Sequence, residues 1–125
     1  MNFINTNKAP QAIGPYSQGV GVGDFIFTSG QIALDADGVM NEGGVQEQTR
    51  QVLTNLREVL KEGGSDLDHV VKTTIFLANM DDFAVVNEVY ESFFGSHKPV
   101  RSTIAVKTLP KNALVEIEAI GLKKS

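Results

Sequence analysis

A chain of 125 residues with 42% apolar side chains has the length and apolar content for one domain over residues 1–125 with its own core, and is cramped for two. A formal charge of −4, from 15 acidic against 11 basic side chains, runs against a nucleic-acid groove, and the lack of cysteine excludes thiol nucleophiles, disulfide scaffolds and thiolate metal sites. No apolar run approaches the ~20 residues that span a bilayer and the N-terminus lacks a secretory pattern, so a cytoplasmic location is the expectation.

Phe3-Ile4-Asn5 is short enough for an edge strand. The stretch Ala9 to Gly19 carries two prolines and two glycines and reads as a structured loop, in which Tyr16, stiffened by Pro15, is either a lid over a pocket or a core anchor. From Val20 to Gln31 the pattern is β, with Gly23-Asp24 as a hairpin turn. Ser29-Gly30 ends its second strand, where a glycine admits close approach of a ligand or another backbone. Ile32 to Gly44 is rich in Asp, Asn and Gly and is a loop.

Val45, Val52, Leu53, Leu56, Val59 and Leu60 recur at helical spacing, with Gly63-Gly64 as the stop, and the charged side chains between them form a solvated face. Val70 to Leu77 is β-branched and aromatic enough for a central strand. Asn79 to Asp82 caps a second helix whose apolar face is Phe83, Val86, Val89, Tyr90 and Phe93, closed by Gly95. Asn87 falls on that packed side, so its amide needs a partner. His69 and His97 stand in no metal-ligand spacing.

The last two strands, Arg101 to Lys107 and Leu114 to Leu122, are expected to pair as a hairpin about Pro110-Lys111. Alternation places Val100, Ser102, Ile104 and Val106 on one face and Arg101, Thr103, Ala105 and Lys107 on the other; Val115, Ile117, Ala119 and Gly121 oppose Leu114, Glu116, Glu118, Ile120 and Leu122. The smaller, uncharged faces are expected under the helices, with Arg101 and Glu116 both on the far face, roughly 13 Å apart in the hairpin register. A far face that mixes apolar and charged side chains suits an oligomer interface. Arg101 then either forms a salt bridge there or awaits a ligand. The order β-β-α-β-α-β-β gives an α+β layer, a mainly antiparallel sheet of about six strands with two helices on one face.

Ile13-Gly14-Pro15-Tyr16, Thr28-Ser29-Gly30-Gln31, Val70-Val71-Lys72-Thr73-Thr74, Pro99-Val100-Arg101-Ser102 and Val115-Glu116-Ile117-Glu118-Ala119 resemble, in order, the signatures of the RidA (YjgF) family of reactive-intermediate deaminases. The resemblance implies a chorismate-mutase-like fold, a homotrimer with sites between subunits, and cofactor-free hydrolysis of 2-imino acids such as 2-iminopropanoate and 2-iminobutanoate to 2-keto acids and ammonia. Removal of those imines, formed from enamines released by pyridoxal-phosphate enzymes, protects other enzymes from damage. Neither a metal, a nucleic acid nor a membrane is implied as a partner.

Carried over by resemblance, Arg101 binds the substrate carboxylate, for which a planar guanidinium is suited, and Glu116 positions the attacking water. Tyr16 matches the loop tyrosine at the site, Ser29 and Gly30 the strand end that approaches substrate, and Asn87 a nearby helix asparagine. Thr103 stands where many relatives have cysteine, so the resemblance gives it a backbone contact to the carboxylate and no thiol chemistry. Gly95-Ser96-His97-Lys98 is shorter and more basic than the family's apolar run and is expected to line the pocket. The alternative is a non-catalytic 2-keto-acid-binding regulatory module on the same scaffold. Ribonuclease activity, ascribed to some relatives, is disfavoured by the acidic balance and the absence of a basic patch or an aromatic stacking strip.

Overall fold

In the computed structural model, which describes residues 1–125, the elements in chain order are β1 (Asn2–Ile4), β2 (Gly19–Val22), β3 (Phe25–Thr28), α1 (Val45–Glu62), β4 (Val70–Leu77), α2 (Phe83–Phe94), β5 (Val100–Ala105) and β6 (Val115–Leu122). They build one six-stranded sheet in the order β1-β2-β3-β6-β4-β5, antiparallel throughout except for the parallel β4/β5 pair. Gly23, at φ 58°, makes the β2/β3 turn that a side chain would strain. No helix is long and apolar enough to cross a membrane.

One face of the sheet carries the helices. Val52, Leu53, Leu56, Val59 and Leu60 of α1 are buried against Ile26, Val70, Ile75, Val115 and Ile117, and Val86, Val89, Tyr90 and Phe94 extend this core from α2. The helix-facing side of β6 is the expected one, Val115, Ile117, Ala119 and Gly121. The opposite face leaves Phe25, Phe27 and Leu122 exposed beside Glu118.

The expected hairpin of the last two strands does not form. β5 lies parallel to β4, and β6 lies antiparallel on β4's other side, so β4 separates them. The cause is the helix between β4 and β5: a strand, crossover helix and strand in one sheet run parallel. The chain then passes through a tight turn at Pro110–Asn112 before entering the sheet between β4 and β3.

This pairing also reverses the expected sidedness of β5. Thr73 pairs with Arg101, Ile75 with Thr103 and Leu77 with Ala105, and because paired residues share a face, Arg101 and Thr103 lie on the helical side with buried Thr73 and Ile75. Val100, at 63% exposed, and Ile104, at 47%, point away from the helices. Glu116, opposite Phe76, remains on the far face. Arg101 and Glu116 therefore stand on opposite faces of the sheet rather than on one. Counting apolar residues failed on β5 because an edge strand at the margin of the helical layer takes its parity from its neighbour's register.

Leu56 is 1% exposed at the centre of the core. Leu56→Ala is expected to lower the unfolding free energy by about 2–5 kcal/mol, measured by urea denaturation; a loss below about 1 kcal/mol would contradict its central position.

Candidate functional site

On the helical side, Arg101 is held by α2. Its Nη1 donates to Asn87 Oδ1 at 2.7 Å, and its guanidinium carbon lies 5.0 Å from the Tyr90 ring centroid and 5.6 Å from that of Phe83. These contacts fix the plane of the cation while the amide takes one of its five donors. Tyr90 is itself fixed, its hydroxyl sharing a hydrogen bond of 2.8 Å with Thr73 Oγ1 and its ring stacked on Phe94 at 4.4 Å. Burial raises the Tyr90 phenol above its ordinary range, against the opposing effects of the Thr73 bond and the Arg101 charge. Arg101 enters no ion pair. It opens on a cavity of about 380 Å³ whose rim includes His97 and Lys98.

Asn87 is exposed rather than packed against the core, and the partner of its amide is the arginine side chain. Phe83, expected on the buried stripe, is also exposed and lies beside the same guanidinium. Thr103 lines neither this cavity nor the next; its Oγ1 is buried without a hydrogen-bond partner.

The second group forms around Glu116. This half-buried carboxyl belongs to a cavity of about 400 Å³ shared with Tyr16, Ser29, Gly30, Gln31 and Lys111. Burial raises its pKa above the ordinary glutamate value, and the negative charge of Glu118 adds to the rise. A Cβ on Gly30 would overlap Glu116 Oε2, so a side chain there makes the Glu116 carboxylate shift. Ser29 is turned aside, its Oγ donating to Ser17 O at 2.6 Å, while Tyr16 is exposed on the proline loop.

The structure thus brings Arg101 and Asn87 together, and Tyr16, Ser29, Gly30 and Glu116 together, as two separate clusters. Gly95, His97 and Lys98 line the arginine cavity. No three His, Asp or Glu side chains converge as metal ligands.

Three buried amides that sequence reading overlooked hold the walls of the Glu116 cavity. Gln18 Oε1 accepts from Thr6 N at 2.7 Å and its Nε2 donates to Pro10 O at 2.8 Å, pinning the loop before Tyr16. Gln48 Oε1 accepts from Leu114 N at 2.9 Å, just before Glu116's strand. Asn55 Nδ2 donates to Leu34 O at 2.8 Å, fixing the segment after Gly30. The signal was present: Gln48 and Asn55 flank Val52 at helical spacing, on the apolar face of α1. Lys111, expected only as a turn residue, holds a left-handed φ of 55° at the cavity wall.

The family model described as Endoribonuclease L-PSP matches residues 6–123. A mouse protein named 2-iminobutanoate/2-iminopropanoate deaminase is 50% identical over 121 residues, which cover 96% of this chain and 90% of the relative. Among solved structures, a Thermotoga maritima protein provisionally assigned as an endoribonuclease superposes with a TM-score of 0.97 at 50% identity, covering 100% and 99% of the two chains. Escherichia coli TdcF with bound serine gives 0.94 at 41% identity, covering 99% and 100%.

Gly30→Ala is expected to displace the Glu116 carboxylate towards solvent. Its titration midpoint, followed by carboxyl-carbon NMR, should move down towards the ordinary 4.5, with about 1–3 kcal/mol of stability lost to overpacking. An unchanged midpoint would contradict the contact.

Proposed function

Because the chain belongs to the endoribonuclease L-PSP family, the YjgF/RidA proteins, we propose that it hydrolyses reactive 2-imino acids to 2-keto acids and ammonia without a cofactor. The observation that carries this reading is the pair of complementary half-sites: a cation pre-oriented for a carboxylate on one face of the sheet, and a carboxyl of raised proton affinity on the other. Neither half suffices. The arginine cavity lacks Glu116, and the Glu116 cavity contains no guanidinium.

Bringing the halves together requires a second copy of the chain, and the proposed assembly is a homotrimer with a site at each interface. Its support is the exposed apolar surface on the sheet face away from the helices, Phe25, Phe27, Val100, Ile104 and Leu122, next to Glu116 and Glu118. Such a patch on a small protein marks an association surface.

In the joined site, Arg101 takes the substrate carboxylate with the donors left free by Asn87, which sets the imine carbon towards Glu116 of the adjoining copy. The carboxylate of Glu116 orients a water and accepts its proton as the oxygen bonds to the imine carbon. Return of that proton to the nitrogen converts it to a leaving amine. Glu116 then takes the hydroxyl proton of the carbinolamine as the C=O bond forms and gives it to the departing nitrogen, so the C–N bond breaks with release of ammonia and leaves the 2-keto acid. The raised pKa of Glu116 suits this two-way transfer, since a carboxyl that holds its proton more tightly is a stronger base when ionised. The imine activity named for the mouse relative and the serine bound by TdcF support a small amino-acid-derived ligand. The charge of −4 supports this reading over RNA cleavage.

Keto-acid release from freshly generated 2-iminopropanoate tests it. Arg101→Ala should reduce kcat/KM by about 10²-fold or more, and Arg101→Lys nearly as much, because an ammonium lacks the planar fork. Binding of keto acids without any turnover by the wild type would replace the enzyme with a regulatory module.

The pH profile has a defined sign. Protonation removes the base form of Glu116, so the rate should fall on the acid side with an apparent pKa above 4.5, and Glu116→Gln should abolish that limb with about 10²-fold or more of the rate. Light scattering of the wild type should give a trimer mass; a stable monomer would remove the joined site.

A further inference from the structure

The Arg101 cavity holds a second cationic side chain besides the arginine that takes one carboxylate. Lys98 stands on its wall with Arg101, and Glu91 is its one acid. Neither Arg101 nor Lys98 is in an ion pair, and the side-chain hydrogen bond of Arg101 goes to a neutral amide. In a chain of net charge −4, two cations left unpaired in one concave site form a local anion trap.

The segment that presents Lys98 is tied down. Gly95 N donates to Glu91 O at 2.8 Å and His97 N to Phe94 O at 3.1 Å, while His97 Nε2 hydrogen-bonds Val70 O at 2.7 Å across to the start of β4. Pro99 then leads into β5. Lys98 and Arg101 line the same cavity of about 380 Å³, and their long side chains can address the two ends of a short dicarboxylate held there.

Resting on the deaminase reading, we propose that this cavity is a two-cation subsite selecting 2-imino and 2-keto acids whose side chain ends in a second anionic group. Arg101 takes the carboxylate next to the reacting carbon, and Lys98 takes the distal one. A small alkyl side chain leaves the Lys98 position unused, so the segment Gly95-Ser96-His97-Lys98 sets substrate class rather than chemistry.

Calorimetric binding of pyruvate and 2-oxoglutarate to the assembled wild-type protein and to Lys98→Met tests the subsite, beside keto-acid release from imino acids generated from L-alanine and L-glutamate. Wild type should bind 2-oxoglutarate about tenfold or more tightly than pyruvate, and Lys98→Met should lower that ratio about tenfold, with Lys98→Arg retaining most of it. Equal affinities in the wild type, a ratio unchanged by Lys98→Met, or no binding of either acid overturns the subsite. If the ratio and its dependence on Lys98 persist while neither imino acid is turned over, the deaminase reading fails and the subsite stands. If the alanine-derived imine is turned over with no preference for 2-oxoglutarate, the subsite fails and the deaminase reading stands.

Discussion

The parallel pairing of β4 with β5 is the constraint on which the rest of the molecule depends. It sets Arg101 opposite Thr73, and the hydroxyl of Thr73 is bonded to Tyr90 of the helix that joins those two strands. One register thereby fixes the crossover, the aromatic bed under the guanidinium and the face of the sheet on which the cation stands. On the other side of β4 the antiparallel register with β6 sets Glu116 opposite Phe76, facing away from the helices. The thickness of a β-sheet insulates the acid from the arginine, and no rotamer of either side chain can bridge it.

That insulation has an electrostatic result. Were Arg101 beside Glu116 in the same chain, the two would pair and hold the carboxyl ionised. Instead, burial in its cavity and then the like charge of Glu118 favour the protonated form. The cavity around it is held from beneath by Gln18, Gln48 and Asn55, whose amides occupy otherwise orphaned backbone groups of three loops. Buried amides of this kind add rigidity where irregular chain has no ladder to hold it. Lys111 and Asn112, in successive left-handed conformations, lie on such a held segment, just before Leu114.

Most of the fold was legible in the sequence because its elements are locally consistent: α1 and α2 in their periodicity, the β2/β3 hairpin in Gly23-Asp24, and the two faces of β6 in strict alternation. Strand pairing was less so. Nothing local distinguishes Arg101 to Lys107 as the partner of β6 from the same strand as the partner of β4, since the choice depends on how α2 crosses the sheet. Val100 and Ile104 depart from the pattern for a related reason: they are apolar yet turned away from the helices and exposed on an edge strand. Resemblance names candidate site residues and says nothing of their geometry within the chain. Arg101 and Asn87 proved to be one cluster because they hydrogen-bond, and Glu116 with Gly30 another because they touch.

Placing the cation and the acid on opposite faces has a genetic consequence under the shared-site reading. Each interface would borrow Arg101 from one copy and Glu116 from its neighbour, so alleles damaged in different halves would belong to separate complementation groups within a single gene. Mixed assemblies of the two would regain some intact interfaces, whereas two alleles damaged in the same half would regain none. Dominance would follow the same rule, because one defective copy spoils only the interface to which its missing residue would have contributed.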